Sequence, residues 1–189
     1  MEEKGMVAVW EKASIPALAQ ASRVLREFSG LDVEVRETSV ASMAWDTVAG
    51  RVNTHVAEPL YAVHIGAQGL FDAQLLLLFS EVNSQHLAAA MLGDAVALPL
   101  TDLALSALAE VGNVVGTAFL NVFADLFGAV WEPTPPHVYF SPAGQWLRTV
   151  RPGTTVLVTE ALFRITDEAV FGEIMVIPLL KEGAGGGRE

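Results

Sequence analysis

Glu110 and Asn113 stand three residues apart in a stretch, Thr101 to Gly128, whose apolar residues recur at helical spacing. A helix turns about 100° per residue, so positions three apart are surface neighbours, with Cβ atoms about 5–6 Å from one another. A carboxylate there can pair with a cation. A primary amide can both donate to and accept from a single water molecule and so fix its position. That combination suits hydrolysis of an acyl phosphate, where aligning the water is much of the work. Plain solvation of an amphipathic helix produces the same polar pair, so spacing alone leaves both readings open.

The element that must position the pair is this helix, expected over about Thr101 to Phe127 and stopped by Gly128. On its wheel Leu105, Leu108, Val111, Val115, Phe119, Val122, Phe123 and Leu126 form the core stripe, and Ser106, Glu110, Asn113, Thr117 and Asn121 fall on the opposite side. Ala107, Ala109, Gly112 and Gly116 flank the pair. Glycine inside a helix costs about 1 kcal/mol against alanine. Either close approach of a partner protein or close packing on a sheet would explain the two glycines.

The remaining elements read as one domain over residues 1–182, with a flexible tail at 183–189. A helix is expected over about Ser14 to Phe28, with Ser14 as N-cap, Pro16 in the first turn and Gly30 as stop. Leu31 to Thr38 alternates as a strand with one wet face, and Ser39 to Gly50 is ambiguous between helix and coil. Pro59 to Ile65 and Leu70 to Phe79 read as a hairpin turned at Gly66-Ala67-Gln68-Gly69. Glu81 to Leu92 is a helix ended by Gly93, and Asp94 to Leu100 is a connector. After the long helix, Trp131 to Phe140 is extended but interrupted by Pro133, Pro135 and Pro136. Thr154 to Ile165 and Val170 to Leu180 form a second hairpin, turned at Thr166-Asp167-Glu168.

The order helix, strand, hairpin therefore occurs twice, in halves of about 10–98 and 99–182. Val24 to Gly30 lies over Val122 to Gly128 without a gap, and Leu70-Phe71 over Val170-Phe171 at nearly the same offset. The expected class is α/β in the α+β sense: a two-layer fold with long helices packed on an antiparallel sheet.

Composition narrows the partners. A net charge of -11 repels phosphate backbones, so nucleic acid is a poor ligand. The absence of cysteine removes disulfides, thiolate metal sites and thiol nucleophiles. No segment reads as the uninterrupted apolar run of a membrane span, and the acidic start Met1-Glu2-Glu3-Lys4 does not read as a secretion signal, so the expected location is the cytoplasm. His55, His64, His86 and His137 show no metal spacing. Ser84 and Ser106 lack histidine and acid partners in the sequence, and Trp10, Trp45, Trp131 and Trp146 read as core or rim.

Ser106, Glu110 four positions on, Asn113 three further and Pro135 22 beyond that resemble the signature of the CheC/CheX/FliY phosphatases of bacterial chemotaxis. Pro136 falls in the same window, and Thr117 to Gly128 looks like the continuation of that family's helix. The resemblance implies a two-layer CheC-like fold and hydrolysis of the aspartyl phosphate of a CheY-like response regulator. Asn113 would orient the attacking water and Glu110 would pair with a regulator lysine. Ser106, Thr117, Pro135 and Pro136 would contact the regulator. This chain would bind no cofactor, the magnesium ion belonging to the partner. A CheD-type deamidase is a second partner that the resemblance suggests, a homodimer is open, and two alternatives stand beside catalysis: a non-catalytic binding module, and a flagellar-switch component of the FliY kind. In the first half the gap-free repeat sets Lys12 opposite Glu110 and Ile15 opposite Asn113, and a slip of one residue gives Glu11 and Ser14. Neither pair reproduces the motif, so a single site is expected.

Overall fold

The computed structural model describes residues 3–54, 60–141, 154–165 and 170–179. The elements run α1 (Glu3–Ser29), β1 (Val33–Ala44), α2 (Trp45–Thr54), β2 (Leu60–Gln68), β3 (Asp72–Ser80), α3 (Glu81–Leu92), α4 (Asp102–Phe127), β4 (Glu132–Pro133), β5 (His137–Ser141), β6 (Thr155–Ile165) and β7 (Val170–Leu179). All strands join one antiparallel sheet in the order β1-β6-β7-β3-β2, with β4 and β5 both on the outer side of β2.

This order is a pseudo-twofold arrangement. The centre is the β3–β7 pair, where Leu75 faces Val176 and Leu76 faces Met175. An offset of 100 residues exchanges the two pairs. Outward from it, each half's hairpin receives the other half's first strand: β1 pairs β6, and β5 pairs β2. The helices repeat at an offset of 98. Trp10, Ala13, Ala17, Ala21 and Leu25 are buried in α1 where Leu108, Val111, Val115, Phe119 and Phe123 are buried in α4. Both helices end on a glycine in the left-handed region, Gly30 at φ 72° and Gly128 at φ 59°, which a residue without Cβ adopts at little cost.

The central strands are apolar on both faces, which is why Leu75 to Phe79 forms a continuous run. Alternate residues point to opposite sides. Leu75, Leu77 and Phe79 join Val63, Ile65, Phe163 and Ile174 under α1, α3 and α4, whereas Leu76 and Leu78 join Val158, Met175 and Ile177 beneath α2 with Trp45 and Val48. Helices α1 and α4 lie against each other on the first of these faces. Trp10 reaches from α1 to Phe71 and Phe123, and Trp131 closes the same aromatic cluster beside Phe71 and Phe127. Of the four tryptophans, Trp10, Trp45 and Trp131 are core; Trp146 lies outside the described residues, as do His55, the 166–168 turn and the 183–189 tail.

Several boundaries differ from the sequence reading. Helix α1 starts at Glu3, not Ser14. Ser14 is fully buried inside it and its hydroxyl bonds Thr159 Oγ1 at 3.0 Å instead of capping a helix end. Pro16 sits within the helix on its exposed side, where the backbone carbonyl that it leaves unbonded can meet solvent. Strand β1 runs on through Ala44 because pairing with β6 continues past a bulge between Arg36 and Ser39. The first hairpin turns later than expected, since β2 keeps its pairing with β3 through Ala67. Leu126 is 59% exposed and so leaves the expected core stripe; the last turn of α4 presents Phe127 to Phe71 and Trp131 instead. Finally, α4 is long and apolar enough to cross a membrane by length and composition. The expectation of no such segment counted only unbroken runs. In the fold this helix puts Leu108, Val111, Val115, Phe119 and Phe123 into the protein core.

Candidate functional site

Helix α4 is a firmly held rod. Thr101 caps its start, its side chain accepting from Ala104 N, and the Gly128 N–H donates to Ala124 O at its end. Its buried face packs on β2 through two glycines, of which Gly112 is the one the approach requires. A Cβ on Gly112 would lie 2.4 Å from Val63 Cγ1, far inside van der Waals contact. A Cβ on Gly116 would meet Ile65 at 3.7 Å, an ordinary contact. Of the two sequence readings of these glycines, the packing one describes what they touch.

Drawing the buried side down onto the sheet leaves the polar side outward. Ser106, Glu110 and Asn113 are all exposed. The Ser106 hydroxyl donates to Asp102 O at 2.8 Å, one turn back, so its lone pairs still face out. The side chains of Glu110 and Asn113 make no hydrogen bond or ion pair with any described residue. Facing them is the chain after Trp131, whose indole N–H donates to Phe71 O at 2.9 Å and fixes where the segment leaves the helix. There Pro135 and Pro136 stand between β4 and β5. Ser106, Ala109, Glu110, Asn113, Pro135 and Pro136 together line an open groove of about 380 Å³.

Five of the six residues expected at the site therefore share one groove: Glu110, Asn113, Ser106, Pro135 and Pro136. Thr117, half-buried one turn further on, is not among its lining residues. Ala109 forms part of the groove and was read only as a small neighbour; its place one turn after Ser106 and one turn before Asn113, at the edge of the polar face, was the available signal. The chemistry that this arrangement permits follows from its atoms. One carboxylate, one amide and a backbone without donors at the two prolines can accept a cation and hold one water, with rigid pyrrolidine rings as the far wall.

The pseudo-symmetric position in the first half is different. Burial of Trp10, Ala13 and Ala17 fixes the 98-residue offset, so Lys12 and Ile15 occupy the Glu110 and Asn113 places, both exposed. The slipped pair fails on geometry, because Ser14 points inward with no exposed surface. Among the described residues no three His, Asp or Glu side chains converge to hold a metal.

Neither a family model nor a curated relative matches this chain in sequence. Solved structures match in fold. FliY of Thermotoga maritima superposes with a TM-score of 0.74 at 17% identity, over 94% of this chain and 90% of that one. FliM in a FliM–SpeE complex from H. pylori gives 0.71 at 13% identity, over 94% and 90%. A CheX–CheY complex with BeF3 and Mg2+ from Borrelia burgdorferi gives 0.60 at 18% identity, over 86% and 95%. The architecture is thus the CheC-like fold that these FliY, FliM and CheX structures share.

Proposed function

We propose that this chain is a phosphatase acting on the aspartyl phosphate of a CheY-like response regulator through a single site, in the cytoplasm. The observation that carries the reading is the groove itself: residues 106, 110 and 113 of α4 and residues 135 and 136, some 22 positions further on, line one open cleft, with the acid and the amide making no side-chain bond to any described residue.

In this mechanism the regulator supplies the phosphoaspartate and the magnesium ion. Glu110 pairs with a lysine beside the phosphoryl group and fixes the angle of approach. Asn113 enters the regulator's site and orders one water in line with the phosphorus. The water oxygen forms the new P–O bond while the bond from phosphorus to the aspartyl oxygen breaks. The water proton leaves to a phosphate oxygen, and the products are inorganic phosphate and a free carboxylate. A carboxylate is a good leaving group, so no acid is required of this chain, and positioning supplies the acceleration.

The test is the decay of regulator charged with acetyl phosphate or phosphoramidate, with wild type, Glu110→Gln and Asn113→Ala. Loss of an ordered water is expected to lower the Asn113→Ala rate by about 100-fold. If wild type and both variants leave the decay of the regulator unchanged, the chain is not a phosphatase. A second reading, a non-catalytic module that holds a regulator or a CheD-type deamidase, draws support from the fold likeness to a FliM solved in complex with SpeE and from Lys12 and Ile15 at the first-half position. Stable capture of the regulator with negligible turnover would favour it.

A further inference from the structure

We infer that Thr134 is a positioning residue of the groove: its hydroxyl replaces a missing backbone acceptor and so holds the Pro135–Pro136 wall at its working distance from Glu110 and Asn113. The inference rests on the phosphatase reading above and adds to it a residue outside the motif.

The case begins with register. On β2, His64 pairs with His137 and Ala67 with Pro133. Two residues, Ile65 and Gly66, therefore face three, Thr134, Pro135 and Pro136. That is a bulge, the device that re-aims a strand at the edge of a sheet. Prolines 135 and 136 bring no N–H, so neither can donate to β2 across it. Thr134 makes both ties to a single partner: its N–H donates to Gly66 O at 2.8 Å, and its side-chain Oγ1, in the place of a backbone carbonyl, accepts from Gly66 N at 2.9 Å. The fit is tight on the other side as well, because a Cβ on Gly66 would lie 3.2 Å from Thr134 Oγ1 and 3.3 Å from Cγ2. Gly66 and Thr134 form a matched pair, and the residues directly after Thr134 are the groove wall.

Valine keeps the shape of threonine and removes the acceptor. Thr134→Val leaves the Gly66 N–H without its partner, and the bulge loses one of its two ties. Thr134→Ser keeps the oxygen. The experiment measures regulator dephosphorylation over a range of regulator concentrations for wild type, Thr134→Val, Thr134→Ser and Asn113→Ala, with folded fraction checked by thermal melting. Thr134→Val is expected to lower turnover at saturating regulator by roughly tenfold, displacement of a wall by a fraction of an ångström being enough, while Thr134→Ser stays within about twofold of wild type. If Thr134→Val melts earlier yet turns over normally per folded molecule, or if Thr134→Ser is as impaired as Thr134→Val, the positioning role is wrong. Wild type and Asn113→Ala separate the two levels: a wild type that leaves the regulator's decay unchanged overturns the phosphatase reading, full activity in Asn113→Ala overturns its assignment to this groove, and loss in Asn113→Ala beside normal Thr134→Val turnover overturns only this inference.

Discussion

Replacing each helix glycine by alanine gives two experiments on one helix with one chemical change. In both, alanine gains about 1 kcal/mol of helix propensity over glycine. At Gly116 the new methyl finds Ile65 at 3.7 Å, so the gain survives and Gly116→Ala is expected to stabilise the protein by up to about 1 kcal/mol. At Gly112 the methyl would sit 2.4 Å from Val63 Cγ1 and 3.4 Å from Val63 Cβ. Val63 is fully buried on a β-strand and stiff about χ1, so rotation alone gives little relief. Separation to normal contact requires a shift of about 1 Å, and overpacking of this kind costs about 1–3 kcal/mol. The propensity gain is common to both variants and cancels in their difference, which reports the clash alone. Urea or thermal unfolding should therefore place Gly112→Ala about 1–3 kcal/mol below Gly116→Ala, at about 2–4 °C per kcal/mol for a chain of this length. Because the displaced residue precedes Asn113, the same shift should lower turnover by between ten- and about a hundredfold. Coincident unfolding curves for the two variants would refute the claim that Gly112 exists to bring α4 onto β2.

Thr159→Val removes the oxygen that accepts from Trp10 Nε1 at 2.6 Å and bonds Ser14 at 3.0 Å; stranding two buried polar groups is expected to cost about 2–5 kcal/mol in a denaturant titration, with regulator dephosphorylation per folded molecule unchanged. Ser14→Asn should destabilise by more than about 2 kcal/mol, since the site is fully buried, whereas Ile15→Asn, at 56% exposure, should stay within about 0.5 kcal/mol; the reverse order would mean that α1 is registered one residue away from its place here. Leu103 lies seven residues before Glu110 on the same side of α4 and is 65% exposed, so Leu103→Ser should leave stability within about 0.5 kcal/mol yet weaken regulator binding severalfold by titration; unchanged affinity would confine the docking surface to the groove.

How far the sequence reveals this fold depends on whether local pattern or distant pairing decides each element. Helix α4 was legible because its period and its Gly128 stop agree. The buried strand β3 was legible as an unbroken apolar run. Helix α1 was misread at its start because Ser14 followed by Pro16 imitates a helix N-terminus. The serine answers to Thr159, 145 residues away, and nothing local distinguishes that bond from a cap. The second part of β1 carries no clean alternation, and its extension comes from β6. At the site, periodicity placed Glu110 and Asn113 side by side, but nothing periodic brings Pro135 and Pro136 opposite them. Their position depends on a bulge, and only the family resemblance anticipated it. Thr134 was missed altogether: the two prolines after it announce lost ladder donors, but nothing local announces that its hydroxyl accepts from Gly66 N, 68 residues away.

The pseudo-twofold frame explains why one half carries a site and the other does not. The second half's first strand bulges where it pairs with β2, and the residues opposite Ile65 leave the ladder to form a proline wall beside α4. The first half's first strand, β1, instead sets Val33 against the equivalent Ile165 in a regular, buried pair beside α1. The helices diverge to match. Helix α4 approaches the sheet through Gly112 and keeps its polar atoms outside. Helix α1 places Ser14 at that same position and joins it to Trp10 and Thr159 in a buried network, leaving Lys12 and Ile15 outside. Polar groups that could do chemistry in one half are used in the other to tie helix to sheet. Changes at Thr159 should then act on stability alone and changes at Asn113 on the reaction alone, although the two helices share one core.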